Sequence, residues 1–472
     1  MRLEWVVLFA VMLCGLSLPA SAVKTEIASD RMAVVDGERV FVLGLYENPA
    51  SDAHLKEAAK AGFNLVQAPG KAEALDRLHE QGLWAWVNTG YRIDLGEDGE
   101  KGAGQLEEMV AASGQHPALM VWEVPDEALW NCWYRAMQWR HTYEPKSLAE
   151  AIKELDDAGR AKKLRAMLCD AADLRKMGKY AQAEALADTI WVELGKEQPK
   201  PGLGVSNAAE RAAKLCKGMI AGYTMLRELD PGHPVWMNHA PRNQIAQLAA
   251  FNEGADIVGC DIYPIPRSRH VGHSDIMDTT PSSVGGYTDR MQMAAPGKPV
   301  WMVLQGFGWK DLAKEPDEKP ARDQRRPNLG ETRFMAFDAI VHGARGILYW
   351  GTMVIEKDSQ LWGDLMTAVR ELHELQPVLS APDAELDLDV SFEETYGSVD
   401  STVRVLPKDV GGKTWLLVVN EWQSPLHYTL RGLDGLDGTR YKDQYGGEEA
   451  VVEGGALSLH IQRRGVQVLV PQ

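Results

Sequence analysis

The sequence predicts a (β/α)8 barrel with a helical insertion after its fourth strand and an antiparallel β-sandwich at its C-terminal end. Three observations carry this. Eight apolar runs recur in the first 351 residues, most of them separated by amphipathic stretches. Several runs are apolar throughout, as in a sheet covered on both faces. After about residue 380 the helical periodicity stops and short alternating runs with Gly-rich turns take over. A doubly wound open sheet is the rival, but no Gly-rich phosphate loop follows any run.

The elements follow in order. MAVVDGERVFVLGLY reads as a hairpin about Asp36-Gly37 running into the first strand. The eight runs are FVLGLY (41–46), FNLVQAP (63–69), LWAWVNTG (83–90), ALMVWEV (118–124), PVWMNHA (234–240), ADIVGCDIYPI (255–265), PVWMVLQGF (299–307) and GILYWG (346–351). Stretches such as 52–62 and 331–344 place apolar residues at i, i+3 and i+4 and read as helices. Roughly 130–205 breaks the rhythm. One LRKMGKYAQAEALADTIWVELG unit reads as a helical hairpin packed on the rim, and QPKPGLG (198–204) as a loop before the regular helix resumes, which runs to about 229. The sandwich strands are VRVLPK, KTWLLVVNEW, LHYTLRGL, ALSLHI and VQVLVP, over 380–472, in a supporting or sugar-binding role.

Composition bounds the function. The chain has 472 residues, 45% hydrophobic and 25% charged, with net charge −17. That balance argues against nucleic acid, which wants a basic stripe, and more weakly against an acidic polymer, since a local cleft can differ from the net field. MRLEWVVLFAVMLCGLSLPASA reads as a secretory signal cleaved after Ala22, so a secreted or periplasmic location is expected, with 23–379 as the barrel. No later segment is apolar enough to span a membrane. Cys132, Cys169, Cys216 and Cys260 lack metal spacing and read as buried thiols, with one bridge left open. His270-x-x-His273 is a weak metal signal that reads better as hydrogen-bonding or exposed histidines. No cofactor or metal is expected, and oligomeric state is not read.

In such barrels chemistry sits at the C-terminal ends of the strands. Those ends carry Tyr46 and Glu47, Gln67, Asn88 and Thr89, Glu123 with Asp126 and Glu127, Asn238 and His239, Asp261 and Tyr263, Gln305, and Trp350. The set is rich in carboxyls, amides and flat rings and has no Lys/Arg cluster for phosphate. Carboxyls and amides hydrogen-bond hydroxyls, and aromatic faces cover the apolar face of a sugar ring. Glycoside hydrolysis needs two carboxyls, one kept protonated by burial or by a like charge. Adjacent Asp126 and Glu127 offer that like charge.

HPALMVWEVPDE resembles the strand-4 motif of clan A glycoside hydrolases, in which the strand ends in an acid after "HPA-L--W". ADIVGCDIYPI at strand 6 and HGARGILYWG at strand 8 also fit, and the likeness in layout covers roughly 40–380. It implies Glu127 as general acid/base, Tyr263 as a strand-6 active-site tyrosine and Trp350 as the platform under the sugar. Two positions depart from the pattern: Asp126 stands where the clan has Asn, and Gln305 where it has the strand-7 nucleophile Glu. Asp261 and Glu123 are the candidates for the second carboxylate. The expected function is cleavage of O-glycosidic bonds in a poly- or oligosaccharide. The alternatives are a catalytically silent glycan-binding barrel at the cell surface and, more weakly, a metal-assisted hydrolase using His239 and Asp261.

Other readings stay open. Glu123 could pair with a cation, Asp126 could cap the next helix, and Gln305 could be a core hydrogen-bonding residue. Asn238 and His239 could shape a loop. Trp130, Trp133, Tyr134 and Trp139 could line a cleft or pack the helix. Glu47 reads as a loop salt bridge, and Glu331 as a first-turn carboxylate.

Overall fold

The computed structural model describes residues 22–96, 99–266, 276, 278–312, 324–394 and 402–472. The signal segment before residue 22 and the His270/His273 pair lie outside them. Eight parallel strands form the barrel: β1 (Val42–Leu45), β2 (Leu65–Ala68), β3 (Trp84–Asn88), β4 (Leu119–Glu123), β5 (Val235–His239), β6 (Ile257–Cys260), β7 (Trp301–Gln305) and β8 (Gly346–Trp350). Their hydrogen-bonded order is β7-β8-β1-β2-β3-β4-β5-β6. Parallel bridges Val258–Val300 and Asp261–Val303 close β6 onto β7. The closure is tight at Gly259, where a Cβ would lie 1.9 Å from the Trp301 carbonyl oxygen.

Alternation along the strands builds two cores. Inward residues such as Leu65, Trp86, Trp236, Ile257, Trp301 and Leu348 fill the barrel. Outward residues such as Leu43, Leu45, Val66, Met237 and Leu304 pack against the helix layer. The N-terminal hairpin pairs Ala33–Val35 with Glu38–Val40 through a turn with positive φ at Asp36 and Gly37. Ala33, Val35 and Val40 join the barrel-interior core and plug one end. The helices expected at 52–62 and 331–344 form at Asp52–Ala61 and Leu329–Val341. Glu331 belongs to a capping box with Asn328, so it is a first-turn carboxylate.

The insertion is helical. Ala128–Met137 runs through a π-helical turn, Gln138–Tyr143, into Glu144–Lys153. Ala158–Lys176 and Tyr180–Leu194 then pack on each other. Buried Arg140 ties it together, bonding Glu144 and Asp188 at 2.8 Å each. The loop at 198–204 follows, and Ala208–Leu229 returns the chain to the barrel. The C-terminal sheets have the orders 389–392, 426–431, 456–461 and 403–410, 413–420, 466–471, 440–443, 449–451. They enclose their own apolar core. Helix Leu329–Val341 packs on strand Lys413–Asn420, and His342 bonds Glu421 across the junction at 2.8 Å.

All four described cysteines are free, so the bridge left open does not form. Cys169 is exposed on Ala158–Lys176, correcting its reading as a buried thiol; the other three are buried. No described helix is long and apolar enough to cross a membrane.

Candidate active site

The β4 run ends at Glu123, and four residues later the chain reaches Glu127 with φ +50°, ψ 32°. A non-glycine residue in this left-handed region is strained by about 1–2 kcal/mol. It occupies the N-cap position of Ala128–Met137 but makes no side-chain cap bond, so neither it nor Asp126 caps this helix. The strained turn instead leaves the Glu127 carboxyl on the wall of a pocket.

Across that pocket stands Asp261, just after β6. Glu127 and Asp261 share a side-chain hydrogen bond, and Asp261 bonds Tyr263 as well. A bond between two carboxyls needs a proton on one of them. Asp261 is 3% exposed, and burial followed by the charges of Glu127 and Asp126 raises its pKa far above the usual range. Glu127 is less buried. Burial and the Asp126 charge raise it to about 7, against the bond from Asp261. The shared proton therefore rests with Asp261, and Glu127 ionises first.

Asp126 keeps an open face to solvent. The protein packed around its carboxyl still raises its pKa, against hydrogen bonds from Asn238 and Tyr46. Asn238 donates to it at 2.8 Å, and the buried Asn238 Oδ1 has no partner. The remaining wall is aromatic. Trp350 stacks on Tyr263 with centroids 5.4 Å apart and planes 22° from parallel. Phe307 meets both rings edge-on. With Trp309 and Leu312 these groups enclose a pocket of about 160 Å³, below the ~300–1,000 Å³ of drug-sized sites.

The structure brings together Asp126, Glu127, Asn238, Asp261, Tyr263 and Trp350. It puts other expected residues elsewhere. Glu123 is fully buried beneath the pocket, so its expected catalytic role is corrected. It accepts from Tyr46 Oη, from Asn88 Nδ2 at 2.6 Å and from Trp86 Nε1 at 3.1 Å, with no cation against it among the described residues. Burial and the Asp126 charge raise it to about 8 in spite of those donors. Tyr46 and Asn88, expected to bind substrate, are committed to Glu123 instead. Tyr46 is buried, and Asn88 also bonds Val124 O and Gly90 N. Both support the Asp126 turn from below and do not reach the pocket lining.

Gln305 is also corrected. It is wholly buried; Nε2 donates to Ile265 O at 2.7 Å and Phe307 O at 3.0 Å, and Oε1 accepts from Ile265 N at 2.9 Å. It clamps the chain leaving β6 to the chain leaving β7 and presents nothing to a ligand. His239 points out of the barrel, where Nε2 meets Asn252 Oδ1 at 2.8 Å. Burial lowers its pKa to about 4, so it is neutral, and it takes no part in the site. The metal-assisted reading with Asp261 loses its histidine. Glu47 pairs with Lys357, as a loop salt bridge. Phe307, Trp309 and Leu312 were not foreseen; the GFGW run after β7 holds the first two, and no sequence pattern marks Leu312.

No family model matches this chain, and no curated protein does. Among solved structures it is similar to a catalytic mutant of Gan42B, a GH42 beta-galactosidase from G. stearothermophilus. That match has 10% identity and TM-score 0.52 over 96% of this chain and 100% of that one. It is also similar to a glycoside hydrolase family 5 structure from Bacteroides vulgatus, at 12% identity and TM-score 0.52 over 95% and 93%. A beta-galactosidase from the psychrophilic Marinomonas ef1 is longer. This chain covers 60% of it with 71% of its own length, at 16% identity and TM-score 0.43. The chain thus shares the TIM-barrel fold of glycoside hydrolases with an appended C-terminal β domain, a likeness carried by structure at low identity.

Proposed function

We propose that this protein is an exported glycosidase that cleaves O-glycosidic bonds of an oligo- or polysaccharide, with Glu127 and Asp261 as its working pair. The observation that supports it is the Glu127–Asp261 hydrogen bond inside a pocket walled by the Tyr263–Trp350 stack. Buried carboxyls pushed apart in pKa suit one proton donor and one carboxylate. The aromatic stack suits the apolar face of a sugar.

The pair acts in its singly protonated state. The carboxyls bond directly, closer than the ~5–5.5 Å of retaining pairs or the ~6.5–9.5 Å of inverting ones, so they must part to take a glycosidic bond. The proton resting on Asp261 first passes along the shared bond to Glu127, which the strained turn holds nearer the mouth, and the carboxyls then part around the glycosidic bond. Glu127 then donates to the leaving oxygen, and ionised Asp261 meets the positive charge that develops at the anomeric carbon or activates water against it.

A glycan-panel screen tests this with Glu127→Gln and Asp261→Asn. Glu127→Gln should lower kcat by about 10²–10⁴-fold on natural glycosides and far less on aryl glycosides whose leaving groups need no proton. Equal loss on both would remove Glu127 from the donor role; cleavage unaffected by both changes would sink the pair. One observation favours the second reading, a glycan-binding barrel without hydrolysis: the strand-7 position holds the clamped Gln305. Binding without cleavage across the panel would decide for it. Export predicts a mature N-terminus at Val23, readable by mass spectrometry.

A further inference from the structure

A second and larger cavity, about 480 Å³, lies between helix Ala128–Met137 with the turn after it, the loop at 198–204 and helix Ala208–Leu229. It is within the ~300–1,000 Å³ range of ligand sites. Its chemistry is opposite to that of the first pocket. Arg135, Lys200 and Arg211 line it, and no Asp or Glu does. In a chain of net charge −17 such a lining is not the background.

The cations are held without neutralisation. Arg135 lies over the Tyr91 ring, 6.0 Å from its centroid, and Lys200 over Trp139 at 5.3 Å. Arg211 spends its bonds on neutral groups: Cys132 O at 2.7 Å, Gly204 O at 3.0 Å and Asn207 Oδ1 at 3.1 Å. None of the three forms a salt bridge among the described residues. Three unneutralised cations beside aromatic faces suit a ligand with both a ring and an anionic group.

The cavity is coupled to the first site by one helix. Glu127 begins it, and Asn131 and Arg135 follow at four and eight residues, one and two turns on, so Arg135 lies about 12 Å along the axis. Asn131 lines the cavity and also donates to the Asp126 carbonyl at 3.2 Å.

We infer that this cavity is a flanking subsite for an anionic sugar, one bearing a carboxylate or a sulfate ester, so that the substrate is an acidic glycan. The inference rests on the reading of the first pocket as a glycan site. It reverses the expectation drawn from net charge, because the local field of three cations outweighs a distant acidic surface.

The test is calorimetric binding to Glu127→Gln protein at fixed ionic strength. The probes are a uronate-bearing disaccharide, a sulfated disaccharide, their uncharged parent and inorganic sulfate. At least one anionic disaccharide should bind about 10-fold or more tighter than the parent, as a charge-assisted hydrogen bond provides. The two anionic probes tell carboxylate from sulfate. Arg135→Gln with Lys200→Gln should reduce that preference to about 2-fold or less. Both residues are exposed and hold no backbone, so the fold is kept. Equal binding of charged and uncharged disaccharides would overturn the inference, as would a preference surviving the double change. Binding of inorganic sulfate with no preference among disaccharides would reduce the cavity to a simple anion site. Preference without any hydrolysis by the parent protein leaves the subsite standing and removes the glycosidase reading. Hydrolysis of uncharged glycans with no anionic preference does the reverse.

Discussion

Glu123→Gln should change how stability depends on pH far more than it changes stability in acid. Glu123 is wholly buried and its pKa is raised to about 8, from about 4.5 in the unfolded chain. A raised acid binds more protons folded than unfolded between those values. Its contribution is therefore fully present below about 4.5 and is lost as pH rises through 8. Linkage gives a cost of ~1 kcal/mol at pH 5, ~3 at pH 7 and ~5 at pH 9. Glutamine mimics the protonated form. Its Oε1 can take the Asn88 and Trp86 bonds, and its Nε2 can donate to the Tyr46 oxygen while that hydroxyl turns to Asp126. The variant should match the parent near pH 4.5 and gain on it steadily above. Urea unfolding at pH 5, 7 and 9 reads the difference, and the other buried carboxyls titrate in both proteins. Parallel stability profiles would refute the argument.

Other expectations follow from the same geometry. Glycosidase activity should rise with pH through about 7, where Glu127 gives the pair its single charge, and fall only when Asp261 ionises. A pH–rate profile already falling at 7 would be inconsistent with that order. Gln305→Glu should destabilise by ~3 kcal/mol or more without adding hydrolysis, since a buried carboxylate would face the Ile265 and Phe307 carbonyls. Thermal unfolding and the glycan screen both read it. Gly259→Ala should cost ~3 kcal/mol in denaturant unfolding, its Cβ landing on the Trp301 carbonyl where the barrel closes. Burial alone would lower the pKa of His342, but hydrogen bonds with Asp289 and Glu421 raise it to about 10. Its stabilising effect is present below about 6.5 and lost as pH rises through 10. His342→Gln should therefore cost most near pH 6, by up to ~5 kcal/mol, and least above pH 10.

Much of the molecule was legible because periodicity is local. Strand alternation also held more than was drawn from it. Along β5, period 2 puts Asn238 inward with Trp236 and turns His239 outward with Met237. Reading that alternation through to its end separates the pocket residue from the core one. Gln305 has inward parity, and parity alone could not say whether its amide meets a ligand or a backbone. The Ile265 and Phe307 groups that claim it come from strand exits 40 and 2 residues away.

Local pattern was enough to read the barrel, the helical insertion, the C-terminal sheets and the strand ends that carry chemistry. Hydrophobic burial at a period of two or 3.6 needs only neighbouring residues. Tertiary structure alone decided which carboxyl meets which. Asp261 was one of two candidates until closure of β6 onto β7 set it against Glu127, while Glu123 sank under three donors. It also gathered three cations from distant segments into one cavity of an acidic chain. Electrostatics depends on through-space distance and burial, and neither is written in sequence spacing.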